Sequence, residues 1–189
     1  MTGIILAGGE NTRMGTNKAF VVMDGERLID RTFKIFKGLF REVIVVTNTP
    51  LDYLDLDATI VTDIYPGKKA LGGIYTGLFY ATGPHAFVAA CDMPYLNPGF
   101  IAWMMEQAPA YDIVVPETPE GLEPLHAIYA KTCLPQMKRR IMQDKLKITG
   151  FYKGLKCLAV SDAIRKSFDP ELRMFINVNT PEDLAPLQA

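Results

Sequence analysis

The stretch "LAGGENTRMGTNKA", residues 6–19, follows directly on an apolar run and carries Gly8 and Gly9, then Arg13, Gly15 and Lys18. Glycines there admit backbone torsions closed to other residues and let main-chain N–H groups approach a ligand. Arg13 and Lys18 put two positive charges on the same loop. Amide donors together with two cations suit a triphosphate, whose oxygens accept charge-assisted hydrogen bonds. Neither common nucleotide fingerprint is present. Lys18 follows Gly15 by three residues and precedes an alanine, unlike G-x-x-x-x-G-K-[ST], and the adjacent Gly8 and Gly9 do not match G-x-G-x-x-G. The same composition also describes a surface loop with solvated charges, and the loop alone does not choose between the two.

Two acids raise the same choice. Asp92, in "CDMP", is placed to hold Mg²⁺ that bridges phosphate oxygens, or to open a turn before Met93-Pro94. Asp63 is placed to assist at a base or ribose, or to open the turn of "IYPG". Gly72 and Gly73, in "KKALGGIYTGL" (68–78), stand at a helix start. A helix N-terminus favours negative charge, and small residues also let the helix lie close to a sheet. The chain has only His85 and His126, and no serine–histidine or cysteine–histidine pair stands out.

These residues need elements to position them. Short β-rich runs alternate with helical patterns: "GIIL" (3–6), "VIVVT" (43–47), "ATIVT" (58–62), "AFVAA" (86–90), "DIVVP" (112–116) and "HAIYA" (126–130). Such alternation predicts βα units and a mostly parallel sheet, and continuous apolar runs predict strands covered on both faces. Ile29, Phe33, Phe36 and Phe40 form one helical stripe. Asn97-Pro98 predicts a cap followed by the first helical residue, and "NTPEDL" (179–184) repeats the device. Trp103, Met104 and Met105 read as core. The segment 145–160 is rich in Gly and Lys and weakly periodic. After the first four runs come Ala7-Gly8-Gly9, Asn48, Asp63 and Cys91-Asp92. In an open parallel sheet these all lie at the carboxyl edge, where ligands bind.

The bulk composition sets bounds. A chain of 189 residues, 49% hydrophobic, suits one domain spanning 1–189 with a sizeable core. A formal net charge of −1 gives no expectation of nucleic acid as partner. No apolar run approaches the roughly 20 residues of a membrane span. "MTGIILAGG" shows no export signal, and Cys91, Cys133 and Cys157 form no zinc pattern. Reduced thiols in a cytoplasmic protein are the expectation.

In this order the motifs resemble molybdenum cofactor guanylyltransferases, within the nucleotidyltransferase superfamily. That family opens with L-A-G-G-x-S-x-R-M-G-x-x-K, against "LAGGENTRMGTNK" here. "LGGIYTGL", "CDMPYL", "PLHAIY" (124–129) and "NVNTPEDL" (177–184) are similar too, so the likeness spans nearly the whole chain. Asn11 departs from the usual serine, and "KKALGG" from the common Gly-Pro-Leu-x-Gly. The resemblance implies a Rossmann-like three-layer α/β/α domain of the nucleotide-diphospho-sugar transferase type, binding GTP and Mg²⁺. It implies transfer of GMP to the terminal phosphate of molybdenum-molybdopterin with release of pyrophosphate, an EC 2.7.7 activity. Transient contact with cofactor-biosynthesis or molybdoenzyme-maturation proteins is also implied.

Carried over by position, Leu6, Ala7, Gly8 and Gly9 meet the nucleotide, Lys18 its phosphates, Asn48 and Asp63 the guanosine side, and Asp92 nucleotide and metal. Arg13, Lys18 and Asp92 form the catalytic set. Gly8 favours guanine, because CTP-using relatives tend to carry alanine there. Asn177 and Asn179 alternate in an extended segment, so both face one side. They either reach the second substrate or pin the C-terminal helix. His126, at the mouth of a strand, either touches the pterin or is structural, and His85 in a turn is idle. "KRRIMQDKLK" (138–147), with five cations and one Asp, is a solvated helix face or a steering patch for the pterin phosphate. A related nucleotidyltransferase acting on a sugar-1-phosphate or using CTP is the competing enzyme. A nucleotide-binding regulator without turnover is the competing non-enzyme.

Overall fold

The central strand β1 (Thr2–Leu6) is "TGIIL", buried along its whole length. A β-branched pair covered on both faces is what a parallel sheet asks of its middle strand. A computed structural model describes residues 1–8 and 17–178. After β1 come a small ribbon of β2 (Val22–Met23) and β3 (Glu26–Arg27), then α1 (Leu28–Leu39), β4 (Glu42–Val46), β5 (Thr59–Val61), α2 (Lys69–Tyr80) and β6 (His85–Ala90). The chain continues through α3 (Pro98–Gln107), β7 (Ile113–Thr118), β8 (Gly121–Leu122), β9 (His126–Ala130), α4 (Leu134–Met142), β10 (Cys157–Val160) and α5 (Asp162–Phe168).

The sheet order is β10-β7-β9-β6-β1-β4-β5, with β8 paired to β7. β1 is parallel to β4 and β6, and β4 to β5. The four strands whose ends carry the polar stops are therefore neighbours and run the same way. β9 is antiparallel to both β6 and β7. That reversal puts His126 at the carboxyl edge beside Ala89.

Side chains alternate across the sheet, as the two-residue period of a strand requires. Ile5, Val43, Val45, Phe87 and Ala89 meet Ile29 and Phe36 of α1 and Phe100 and Met104 of α3. Ile4, Leu6, Ile44, Val46 and Val88 meet Leu71, Ile74 and Leu78 of α2 and Met137 and Ile141 of α4. The result is three layers. Trp103 and Met105 are half-buried against the first of these cores. α3 starts as its sequence predicts: Asn97 Oδ1 accepts from the Phe100 N–H at 3.0 Å, with Pro98 as first helical residue.

α2 lies unusually close to β1, and its glycines are the reason. A Cβ at Gly77 would stand 2.5 Å from Ile4 Cγ2, and one at Gly73 3.1 Å from Leu6 Cδ2. These positions, one helical turn apart, form a bare face that lets the head of the helix reach the tip of β1.

Segments left open by the sequence take definite form. The segment 145–160 contains a 3₁₀ turn, Ile148–Phe151, and the edge strand β10. β10 pairs with β7 alone, and although its four residues, CLAV, are all apolar, its burial alternates with Cys157 exposed, as an edge position allows. The basic stretch 138–147 is helical only to Met142, with Lys138 and Arg139 exposed and Met137 and Ile141 buried: a solvated face on an amphipathic helix. The helix expected from "NTPEDL" lies outside the described residues. Among the described residues no helix is long and apolar enough to cross a membrane.

Candidate active site

The strand ladders extend one residue past their ends and fix the tips. Ala7 N–H donates to the Val46 carbonyl at 2.9 Å, and Cys91 N–H to the Leu6 carbonyl at 3.1 Å. Thr47 N–H donates to the Val61 carbonyl at 3.0 Å. Around these tips opens a crevice lined by Leu6, Ala7, Gly8, Lys18, Asp63 and Asp92. Lys18, between β1 and β2, and Asp92, just past β6, meet in this one cleft.

Lys18 begins a 3₁₀ turn, Lys18–Phe20, capped by Asn17, whose Oδ1 accepts from the Ala19 N–H at 3.1 Å. The Asn17 amide also donates to the Tyr53 hydroxyl at 2.8 Å, and that hydroxyl donates to the Ala7 carbonyl at 3.1 Å. Tyr53 is fully buried and its ring lies 5.1 Å from that of Phe20. One hydroxyl thus ties the residue where the cationic loop leaves β1 to the residue where it returns. Burial raises the Tyr53 pKa, so the phenol stays neutral and keeps its proton to donate.

Asp92 Oδ1 is buried without a hydrogen-bond partner. Burial pushes the carboxyl pKa up and the nearby Lys18 charge pulls it down. The loop is held from behind, where Val178 N–H donates to the Asp92 carbonyl oxygen at 2.9 Å. Asp63 is half-buried. Its Oδ2 accepts from the Asn48 amide at 3.3 Å, while its Oδ1 is buried and unpartnered. Burial raises its pKa, and Asn48 opposes that. The following turn is pinned by Ile64 N–H donating to Thr76 Oγ1 of α2 at 3.0 Å. Asn48 itself is exposed and stands behind Asp63 rather than in the crevice wall.

Other expected residues fall differently. Gly8 is outside the left-handed region, and a Cβ there would meet nothing closer than Thr47 Cα at 3.6 Å. Neither torsion nor internal crowding demands glycine at 8, which leaves the room it gives the crevice. His126 is withdrawn from the second-substrate set. Its ring is 0% exposed, edge-on to Phe87 and Phe175 and tilted against Phe100 at 5.1–5.8 Å between centroids. Burial drops its pKa to about 3, so it sits neutral in an aromatic cage. His85 Nε2 lies 3.1 Å from the Tyr111 carbonyl, outside the crevice wall. Asn177 is exposed and its amide donates to the Phe175 carbonyl at 3.3 Å. Gly9, Arg13 and Asn179 lie outside the described residues. The three cysteines are free, and burial pushes the crevice thiol of Cys91 up to about 12, leaving it inert near neutrality.

Sequence reasoning missed Asn17, Tyr53, Lys69 and Leu125. Of these Asn17, Lys69 and Leu125 line the crevice. Tyr53 sits in "PLDYLD", a stretch with no motif, and nothing local shows that its hydroxyl reaches back 46 residues.

A family model described as the MobA-like NTP transferase domain matches residues 3–156. The molybdenum cofactor guanylyltransferase of Desulfosudis oleivorans is 40% identical over all of this chain and 95% of its own length. A protein of Natranaerobius thermophilus named as a probable molybdenum cofactor guanylyltransferase is 35% identical over 97% of this chain and 93% of its own. Among solved structures, the molybdopterin-guanine dinucleotide biosynthesis protein A of Archaeoglobus fulgidus superposes with a TM-score of 0.85 at 28% identity, covering 97% of this chain and 95% of that one. With crevice, motif order and full-length relatives in agreement, the chain belongs to the MobA-like NTP transferases, among the molybdenum cofactor guanylyltransferases.

Proposed function

We propose that this chain transfers the GMP unit of GTP to the terminal phosphate of molybdenum-molybdopterin, forming the guanine dinucleotide cofactor and releasing pyrophosphate. The observation that carries this is the meeting in one crevice, at the tips of parallel strands, of Lys18 and an Asp92 carboxylate with one buried oxygen lacking a hydrogen-bond partner. In the reaction an oxygen of the phosphomonoester bonds to the α-phosphorus of GTP. The bond from that phosphorus to the bridging oxygen breaks, and its electron pair leaves with pyrophosphate. A phosphomonoester has its second pKa near about 6 and is mostly dianionic at neutral pH, so it needs no general base. A crevice without an accessible histidine suits that requirement.

The difficulty is repulsion between anions, and the site is built against it. Lys18 sets a positive charge at the phosphates. Main-chain groups of Leu6, Ala7 and Gly8 lie along the nucleotide, with Gly8 leaving room for a purine. Asp63, steadied by Asn48, faces the guanosine. Arg13, Gly9 and Asn179 are carried into this reading by the resemblance alone, and Asn177 with Asn179 would border the second substrate. The donor set fits Mg²⁺: one carboxylate with a free oxygen, the remaining positions being filled by phosphate oxygens and water. Bound there, Mg²⁺ would neutralise charge on the reacting phosphates. The setting is the cytoplasm, and hand-over to cofactor-biosynthesis or molybdoenzyme-maturation proteins belongs to the same reading.

The test is an incubation of the purified protein with Mg²⁺, GTP and molybdenum-molybdopterin, scored for dinucleotide and pyrophosphate. CTP, and a sugar-1-phosphate as acceptor, run in parallel. Product from GTP and the pterin is expected. Product only from CTP or a sugar-1-phosphate, or tight GTP binding without turnover in any arm, would overturn the assignment.

A further inference from the structure

We propose that Lys69 is an additional phosphate-binding cation of the crevice, aimed into it by a left-handed turn at the head of α2. This rests on the guanylyl-transfer reading and names a group that the reading does not use. Lys69 is the first residue of α2 and has φ +52. A non-glycine residue there costs about 1–2 kcal/mol, and glycine is the residue such a torsion ordinarily selects. This chain uses glycine for the same purpose two residues earlier, at Gly67 with φ +74. The lysine thus stands where the backbone disfavours it.

Its surroundings say what it can do there. Lys69 lines the same crevice as Lys18, Asp63 and Asp92. The neighbouring Lys68 is engaged elsewhere, its Nζ 3.0 Å from Asp144. Among the described residues no carboxylate makes an ion pair with Lys69. The first turn of α2 holds no acidic residue, so the positive end of the helix stands beside the lysine without an internal counter-charge. Exposed N–H groups at a helix start, a mobile ammonium and a crevice opening onto both make a place for phosphate oxygens. The occupant is the triphosphate of the nucleotide, not its base or ribose.

Lys69→Gly is the decisive variant, because glycine relieves the backbone while removing the charge. Calorimetry with Mg²⁺ and either GTP or guanosine, on wild type and variant, reads the result. The variant should keep or raise Tm, bind GTP about tenfold more weakly, and bind guanosine as the wild type does. Lys69→Arg should restore most of the loss, and the loss should shrink as salt rises. GTP affinity within twofold of wild type would overturn the assignment, as would an equal loss for guanosine. If wild type itself fails to bind GTP, the guanylyl-transfer reading falls and takes this inference with it. If wild type binds and Lys69→Gly is unaltered, only the inference falls.

Discussion

Asp92 shows at the scale of one residue how function and stability pull apart. Its carboxylate is mostly buried and one oxygen has no partner, so the isolated fold bears a desolvated charge that Lys18 offsets only in part. Replacing it by the isosteric amide removes that cost. Asp92→Asn should raise the Tm of the ligand-free protein by about 2–4 °C, the shift that ~1 kcal/mol gives in a chain of this size. The same variant should lose at least about a hundredfold in kcat, since a neutral amide holds a divalent cation far more weakly than a carboxylate and brings no charge of its own. Scanning calorimetry and pyrophosphate release measure the two effects on one sample. Sequence alone pointed to Asp92 because an acid just past a buried strand is exposed to whatever binds at the sheet edge. For the same reason it left His126 open between a pterin contact and a structural role. The reversed strand β9 does bring His126 to that edge, but Phe87, Phe100 and Phe175 close over it, and such a cage is assembled from distant segments.

At the scale of elements, the cationic loop is held by its ends. The Tyr53 hydroxyl joins Ala7 to Asn17, and Asn17 caps the turn that carries Lys18. Tyr53→Phe keeps the ring against Phe20 and removes only that link. It should leave Tm within a few degrees, yet lower kcat/KM for GTP about tenfold by letting Lys18 wander. An Asn17→Ala, Tyr53→Phe double variant should be little worse than Asn17→Ala alone in the same steady-state assay, because Asn17→Ala already removes the link to Tyr53 along with the cap. Independent, additive losses would separate the two residues. The glycine face of α2 was visible in "GGIYTGL", although its steric and ligand-facing roles were not separable there. The structure shows Gly77 making room for Ile4, and Gly73 doing so for Leu6 beside Asp63. The edge strand β10 escaped notice because its apolar run, CLAV, is only four residues long and follows a stretch rich in Gly and Lys.

For the molecule as a whole, the α/β class and the parallel half of the sheet were legible, since alternating buried runs and helical stripes have few other solutions. Strand direction at β9 was not, because an antiparallel strand covered on both faces has the same apolar composition as a parallel one. The placement has a cost in acid. His126 is neutral in the fold down to about pH 3, whereas an unfolded imidazole takes up a proton below about 6.5. The unfolded state then binds more protons, so stability falls as pH drops through that window. His126→Leu should flatten the decline by about 1.4 kcal/mol per pH unit across it, read from urea midpoints at neutral and mildly acidic pH.

The hydrogen bond from Val178 to the back of the Asp92 loop joins residues 86 positions apart. A nascent chain that has released only its first 170 residues from the ribosome already holds every strand of the sheet, yet lacks this strut. The nucleotide crevice is then outlined but its acid is unsupported, so translation itself sets the moment at which the site is finished.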